Sequence, residues 1–292
     1  MTERPQRPQR AEPREIVELK QLKSNQPELA GAVDMQVALV DMQRRVQGRV
    51  PLPWIQADPE WVKVQQQAGR PLVRFQNIPL EWSDFRLTFR QTADILYRYE
   101  ALERPDYERL VALGREGNSL ESAVTNWYNA TSGVEANTRR AGSDRAASDA
   151  APVGLDQVLV LALRPFLARC AEALTQKIDL SGWTHGHCPF CGWEPDFAFI
   201  TPGAERRLIC GRCTGQWAFG PFACPFCTND DRALVTSFAT RDGRYRVYAC
   251  DVCRRYVKAY DARNASRPVM VSVDSIATLP LDAAAIQKGY LG

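Results

Sequence analysis

At 292 residues the chain is long enough for two domains, and 45% hydrophobic with 24% charged residues is an ordinary globular balance. No run of about 18 uncharged apolar residues occurs, which excludes a membrane-spanning helix. The formal charge of +3 counts every thiol as neutral; eight thiolates around two divalent cations would leave about −1, which removes the electrostatic case for nucleic acid.

Residues 1–14 are rich in Pro, Arg and Glu and predict a disordered tail. Neither they nor the Arg44-Arg45 pair lead into a hydrophobic run of the export type, so a reducing cytoplasm is the expected compartment. Residues 15–180 read as a helical domain. Pro27 to Gln47 carries Leu29, Val33, Met35, Val37, Leu39, Val40 and Met42, the pattern of a buried helix. Asp58-Pro59 is an N-cap followed by proline at the first helical position, and Ser83 is a candidate cap for the next helix. There Phe85, Phe89, Leu96 and Tyr99 share one face, a stripe read as core. Further helices are expected from Pro105-Asp106 and over Leu120 to Tyr128. Residues 130–151 shift to Ala, Ser, Arg, Asn, Gly and Asp, the composition of a flexible insertion. Leu155 to Ile178 is again strongly apolar, with Pro165 expected to kink or split the helix and Cys170 read as a small buried hydrophobe.

The pattern then changes. Eight of the nine cysteines form four C-x-x-C pairs, Cys188/Cys191, Cys210/Cys213, Cys224/Cys227 and Cys250/Cys253, separated by 18, 10 and 22 residues. Two such turns supply the four soft ligands of a tetrahedral cation, so four pairs read as two metal sites. The first spacer has a turn at Pro202-Gly203 between Phe197, Phe199 and Leu208, Ile209; the last has Asp242-Gly243 between Phe238 and Tyr245, Val247. Both are hairpin patterns. The middle spacer, Thr214 to Ala223, has no hairpin pattern and reads as a link. Sequential pairing follows: Cys188, Cys191, Cys210 and Cys213 in a module at 181–220, and Cys224, Cys227, Cys250 and Cys253 in a module at 221–263. A cross-braced pairing of first with third and second with fourth is the alternative. Residues 264–292 form a tail with one short helix from Asp274 to Gly289. The fold class is α+β, an all-helical N-terminal domain followed by two small zinc-ribbon-like β-hairpin modules.

Sites with four protein ligands are closed, which argues against a catalytic metal. No P-loop, dinucleotide fingerprint or Ser/His/Asp set occurs. The only histidines, His185 and His187, precede an already complete cysteine set. The expectation is therefore not an enzyme and no catalytic residues. Two other classes compete with a protein-binding role. Arg206-Arg207, Arg241, Arg244, Arg246 and Arg254-Arg255 near the hairpin tips give a nucleic-acid binder some basis, and iron or a labile dithiol would make a redox protein.

The frame Gly186, Cys188-Pro189-Phe190-Cys191-Gly192, Cys210-Gly211-Arg212-Cys213, Trp217, Cys224-Pro225-Phe226-Cys227, Tyr245-Arg246-Val247, Cys250-Asp251-Val252-Cys253, Tyr256 and Lys258 resembles the formate dehydrogenase accessory proteins, the FdhE family. Gly69-Arg70-Pro71-Leu72, Ile78-Pro79-Leu80, the helix ending Leu174 to Lys177 before Asp179-Leu180, and Leu281-Asp282 extend the resemblance over most of the chain. It implies a cytoplasmic maturation factor that binds the catalytic subunit of formate dehydrogenase and holds iron in rubredoxin-like sites. From the residues alone, zinc suits four thiolates as well as iron does. A groove between the domains is expected to clasp the partner, with Trp183, Trp193 and Trp217 as contacts or as core.

Overall fold

A computed structural model describes residues 11–132 and 153–292. Nearly all of the expected tail and insertion lie outside them. Arg14 already opens a helix, α1 (Arg14–Asn25), which the sequence reading passed over. Its Ile16 and Leu19 are buried against α2 (Ala30–Gln47), which follows a single 3₁₀ turn at Pro27–Leu29. Next come α3 (Pro59–Gln67), α4 (Trp82–Arg98), α5 (Arg104–Arg115), α6 (Gly117–Thr131) and α7 (Leu155–Thr175). The Asp58 carboxylate caps α3, its Oδ1 accepting from the Trp61 N–H at 2.9 Å. Ser83 does not cap α4. That helix starts two residues earlier, with Glu81 at the N-cap and the Glu81 carbonyl accepting from the Phe85 N–H. Phe85, Phe89 and Leu96 are fully buried, as their periodicity requires, while Tyr99 sits half-buried at the C-cap.

Pro165 neither splits α7 nor ends it; one helix spans Leu155–Thr175 with the proline inside. Proline lacks the N–H that would bond the Leu161 carbonyl four residues back. Gln43 of α2 supplies the missing donor, its Nε2 lying 2.9 Å from Leu161 O. A neighbouring helix thus repairs the break.

The remaining strands form one six-stranded sheet in the order β3-β2-β1-β6-β5-β4. The strands are β1 (Pro195–Ile200), β2 (Arg206–Cys210), β3 (Gln216–Ala218), β4 (Val235–Ala239), β5 (Tyr245–Cys250) and β6 (Tyr256–Asp261). The two expected hairpins are present, but each gains a third strand. β3 falls within the presumed link and pairs with β2. β6 then pairs antiparallel with β5 and parallel with β1, so two copies of one three-stranded unit share a single sheet. Alternation within the strands sends side chains to two cores. Ala198, Leu208, Val257 and Ala259 join the helical core, whereas Phe197, Ile209, Tyr256 and Tyr260 face the C-terminal helices.

Those helices replace the expected single one. α8 (Val271–Ala277) and α9 (Leu279–Gln287) are separated at Thr278, and Pro280 occupies the first turn of α9, where a missing N–H costs nothing. α8 packs on α1 and α2 through Val273 and Ile276. α9 is pinned to the sheet by Asp282, which accepts from Lys258 Nζ at 2.5 Å and from the Tyr256 hydroxyl at 2.7 Å. Among the described residues, no helix is long and apolar enough to cross a membrane.

Candidate metal centres

All four C-x-x-C segments adopt the same turn. The N–H of the residue after the second cysteine bonds back to the carbonyl of the first: Gly192 to Cys188 (2.9 Å), Thr214 to Cys210 (3.2 Å), Thr228 to Cys224 (3.0 Å) and Arg254 to Cys250 (2.9 Å). The N–H of each first cysteine then bonds the carbonyl five residues on, at Trp193, Gly215, Asn229 and Arg255. Closing the turn so tightly puts the residue after each second cysteine in the left-handed region, with φ of 72° at Gly192, 59° at Thr214, 62° at Thr228 and 61° at Arg254. Only the first of these is glycine. Thr214 and Thr228 offset part of the strain by donating their hydroxyls to the preceding cysteine carbonyls at 2.7 and 2.6 Å. The turns aim backbone N–H groups at sulfur, as from Arg212 and Cys213 to Cys210 Sγ at 3.3 and 3.4 Å.

The eight sulfurs gather as the sequential pairing requires, Cys188, Cys191, Cys210 and Cys213 in one group and Cys224, Cys227, Cys250 and Cys253 in the other, each within 4.8 Å. The cross-braced alternative is thereby excluded. Within the groups, Cys188 and Cys213 sulfurs lie 3.4 Å apart, Cys191 and Cys210 3.5 Å, and Cys224/Cys253 and Cys227/Cys250 each 3.6 Å. A disulfide would need about 2.05 Å. A tetrahedral cation with metal–sulfur bonds of about 2.3 Å places its sulfurs roughly 3.8 Å apart, so both groups fit one. Cys170 stands apart; burial pushes its thiol up to about 12, and it has no second cysteine to work with.

Electrostatics favour a cation as well. Burial drives the Cys188 and Cys213 thiols far above their ordinary range. Burial opposes ionisation of Cys191 too, but hydrogen bonds from its three neighbours and the Arg212 charge take it well below. In the second group, Cys253 is held down to about 5 by the hydrogen bond from Cys224, whose own thiol is driven up. Four sulfurs this close cannot all carry charge unaided, and a bound cation would supply the compensation.

The two centres differ in setting. The first is wholly buried and belongs to the helical core, whereas Cys227 and Cys253 of the second are half-exposed. The stretch after α3 explains the difference. Leu72 N–H and Val73 N–H bond the Pro189 and Phe190 carbonyls at 2.9 and 2.8 Å, strapping the first turn to the helices. His187 Nε2 lies 2.8 Å from Gly69 O and His185 Nε2 lies 3.0 Å from Gln66 O. A ring nitrogen facing a carbonyl must be the donor, so both histidines are seam residues and neither joins a sulfur group. The core is continuous across this junction, where a clasping groove was expected. Trp183 and Trp217 are almost fully buried in it, and half-buried Trp193 lies against Trp127. They are core residues.

Several arginines that lent weight to a nucleic-acid reading are committed internally. Arg206 is 3% exposed and donates to the Gly220 and Ala223 carbonyls; Arg255 makes a paired contact with Glu194 at 2.7 and 3.0 Å; Arg254 donates to Lys288 O. The residue that sequence reasoning missed is Arg212. It is fully buried beside the first centre, bonded to Thr131 Oγ1, Ser132 Oγ and the Cys191 carbonyl and caged by Tyr128, Trp193 and Trp127. Its position between two cysteines was noted, but nothing local marks a filler residue as buried.

No family model and no curated protein matches the chain. Among solved structures, the FdhE protein from Pseudomonas aeruginosa aligns with a TM-score of 0.61 at 20% identity, over 95% of this chain and 91% of that one. Along almost its entire length the chain therefore has the fold of an FdhE protein, the family its cysteine frame resembles.

Proposed function

We propose that this chain is an FdhE-type accessory protein, a non-catalytic factor that binds the catalytic subunit of formate dehydrogenase during maturation in the cytoplasm. The observation that carries this reading is the shared fold over nearly the whole chain, together with both four-cysteine groups. In this reading Cys188, Cys191, Cys210 and Cys213 ligate one ion, and Cys224, Cys227, Cys250 and Cys253 a second. Iron is favoured by the family resemblance, and zinc is the alternative. Each ion cross-links the two cysteine turns of one three-stranded unit, and the residues do the rest: the turns orient the sulfurs, and the Gly69–Val73 strap locks the first unit to the helices. The helical domain at 15–180, the modules at 181–220 and 221–263 and the C-terminal segment at 264–292 remain the working division of the chain. Pull-down of the full chain against a formate dehydrogenase catalytic subunit, with elemental analysis of protein purified without oxygen, tests it. Association is expected; none in either metal state would overturn the partner assignment.

A redox protein is the second reading. The half-exposed Cys227 and Cys253 favour it, because electron transfer or thiol exchange needs such access. A fast reversible couple of iron at the second centre would support it.

A further inference from the structure

Two guanidinium groups flank the first sulfur group without a carboxylate partner. Arg212 is fully buried, and its bonds go to two hydroxyls and the Cys191 carbonyl, all neutral. Arg164, half-buried on α7, donates Nη2 to the Gly211 carbonyl at 2.6 Å, inside the second cysteine turn. Its Nε, like that of Arg212, is buried with no bond. Exposed Asp196 attracts Arg164 from a distance but makes no contact with it. Among the described residues, no ion pair involves either arginine. Lys258 and Arg267, by contrast, are paired with Asp282 and Asp274, while Arg206, also buried without a carboxylate, spends its bonds on the Gly220 and Ala223 carbonyls.

A buried charge without a counter-charge is strongly destabilising, because the low-dielectric interior replaces none of its hydration. The acidic groups that face Arg212 are the Cys191 thiol, the Tyr128 hydroxyl and the Cys210 thiol, with no carboxylate among them. A divalent cation with four thiolates is a dianion, and two guanidinium groups neutralise it; a trivalent cation would leave one positive charge over in a dry core. The second centre has one such group, Arg206, which faces Cys224, while Arg255 beside it is taken up by Glu194.

We propose that Arg212 and Arg164 are the counter-charges of the first centre and make it select and hold a divalent ion. The inference rests on the metal reading above and adds which ionic state the protein stabilises. Both residues act through the ligands as positioning residues and touch no reacting group.

The test uses the full chain loaded with cobalt(II), and separately with iron, as parent, Arg212→Gln, Arg212→Lys, Arg164→Gln and the exposed-site control Arg241→Gln. The first-centre ion is identified as the one missing from Cys188→Ser. Arg212→Gln is expected to weaken cobalt retention at that centre at least tenfold in chelator competition. It should also lower the potential of first-centre iron by at least a tenfold shift of the couple, about 59 mV for one electron. Arg164→Gln moves both readouts the same way, Arg212→Lys stays nearer the parent, and Arg241→Gln changes neither. A parent that takes up no cobalt overturns the metal reading itself. A two-metal parent whose Arg212→Gln variant keeps affinity and potential overturns the charge pairing alone. Should Arg212→Gln fail to fold, an unmoved Arg164→Gln is equally decisive against it.

Discussion

The Gln43 side chain donates to the carbonyl of Leu161, the acceptor that Pro165 leaves without a helical partner. Gln43 is 9% exposed, so truncation would strand a buried carbonyl at a cost of about 1–3 kcal/mol. Gln43→Leu should lower the denaturation midpoint accordingly. In a Pro165→Ala background the restored N–H serves Leu161, and the same substitution should cost much less. Denaturant melts of the four proteins give the coupling; equal costs in both backgrounds would mean that the bond does not repair the helix.

Gly186 is where the lead-in to the first centre meets the turn of the second. A Cβ there would lie 2.0 Å from the Pro225 carbonyl oxygen, and backbone cannot yield as a side-chain tip does. Gly186→Ala must therefore push the Cys224–Cys227 turn away. The expected outcome is a folded helical domain with the second ion released at lower chelator concentration, while Gly243→Ala, at an open hairpin tip, leaves metal content unchanged. Metal stoichiometry against chelator concentration checks both.

Asp274 ties the C-terminal helices to the sheet and to the N-terminus. Its fully buried carboxylate accepts from the Tyr245 hydroxyl at 2.7 Å, the Met270 N–H at 2.7 Å and Arg267 at 2.5 Å, and Arg267 also reaches Glu18 of α1 at 3.6 Å. Removing one partner of such a cluster leaves the other largely buried, here with only the longer Glu18 contact for Arg267, at about 3–5 kcal/mol. Asp274→Ala should lower stability by that amount in urea and increase amide exchange in α8 and α9 before the sheet.

The sites were legible because ligation is written in spacing. Four C-x-x-C pairs and two hairpin spacers sufficed to group Cys188 with Cys213 and Cys224 with Cys253. What escaped were interactions made at long sequence separation. Nothing in Thr214 to Ala223 announces β3, whose three residues are held by pairing with β2 and by buried Trp217. Pro165 read as a helix breaker because its rescuer, Gln43, lies in another helix. Trp183 and Trp217 read equally well as contacts or core, since a single aromatic carries no sign of which face it meets. Gly69 to Leu72 carries no local signal beyond its family resemblance, because its role, the strap on the first turn, is tertiary.

Burial separates the two centres by rate. At the first, all four cysteines are buried in the helical core, and a chelator would reach a bound ion only if the Leu72–Pro189 and Val73–Phe190 bonds opened. At the second, Cys227 and Cys253 are half-exposed, and attack is expected to need no unfolding. Chelation of the reduced, metal-loaded chain should therefore release the two ions in two phases of comparable amplitude. Thiol labelling should follow the same order, Cys224, Cys227, Cys250 and Cys253 becoming reactive first and the other four with the slow phase. Cys170 should stay unmodified until the helices melt, because burial keeps its thiol protonated. Cys170→Ser should retain both ions, and Cys188→Ser should lose the slow phase alone. A single phase, or early labelling of Cys188 and Cys213, would show that the core does not guard the first centre and that the two units open together.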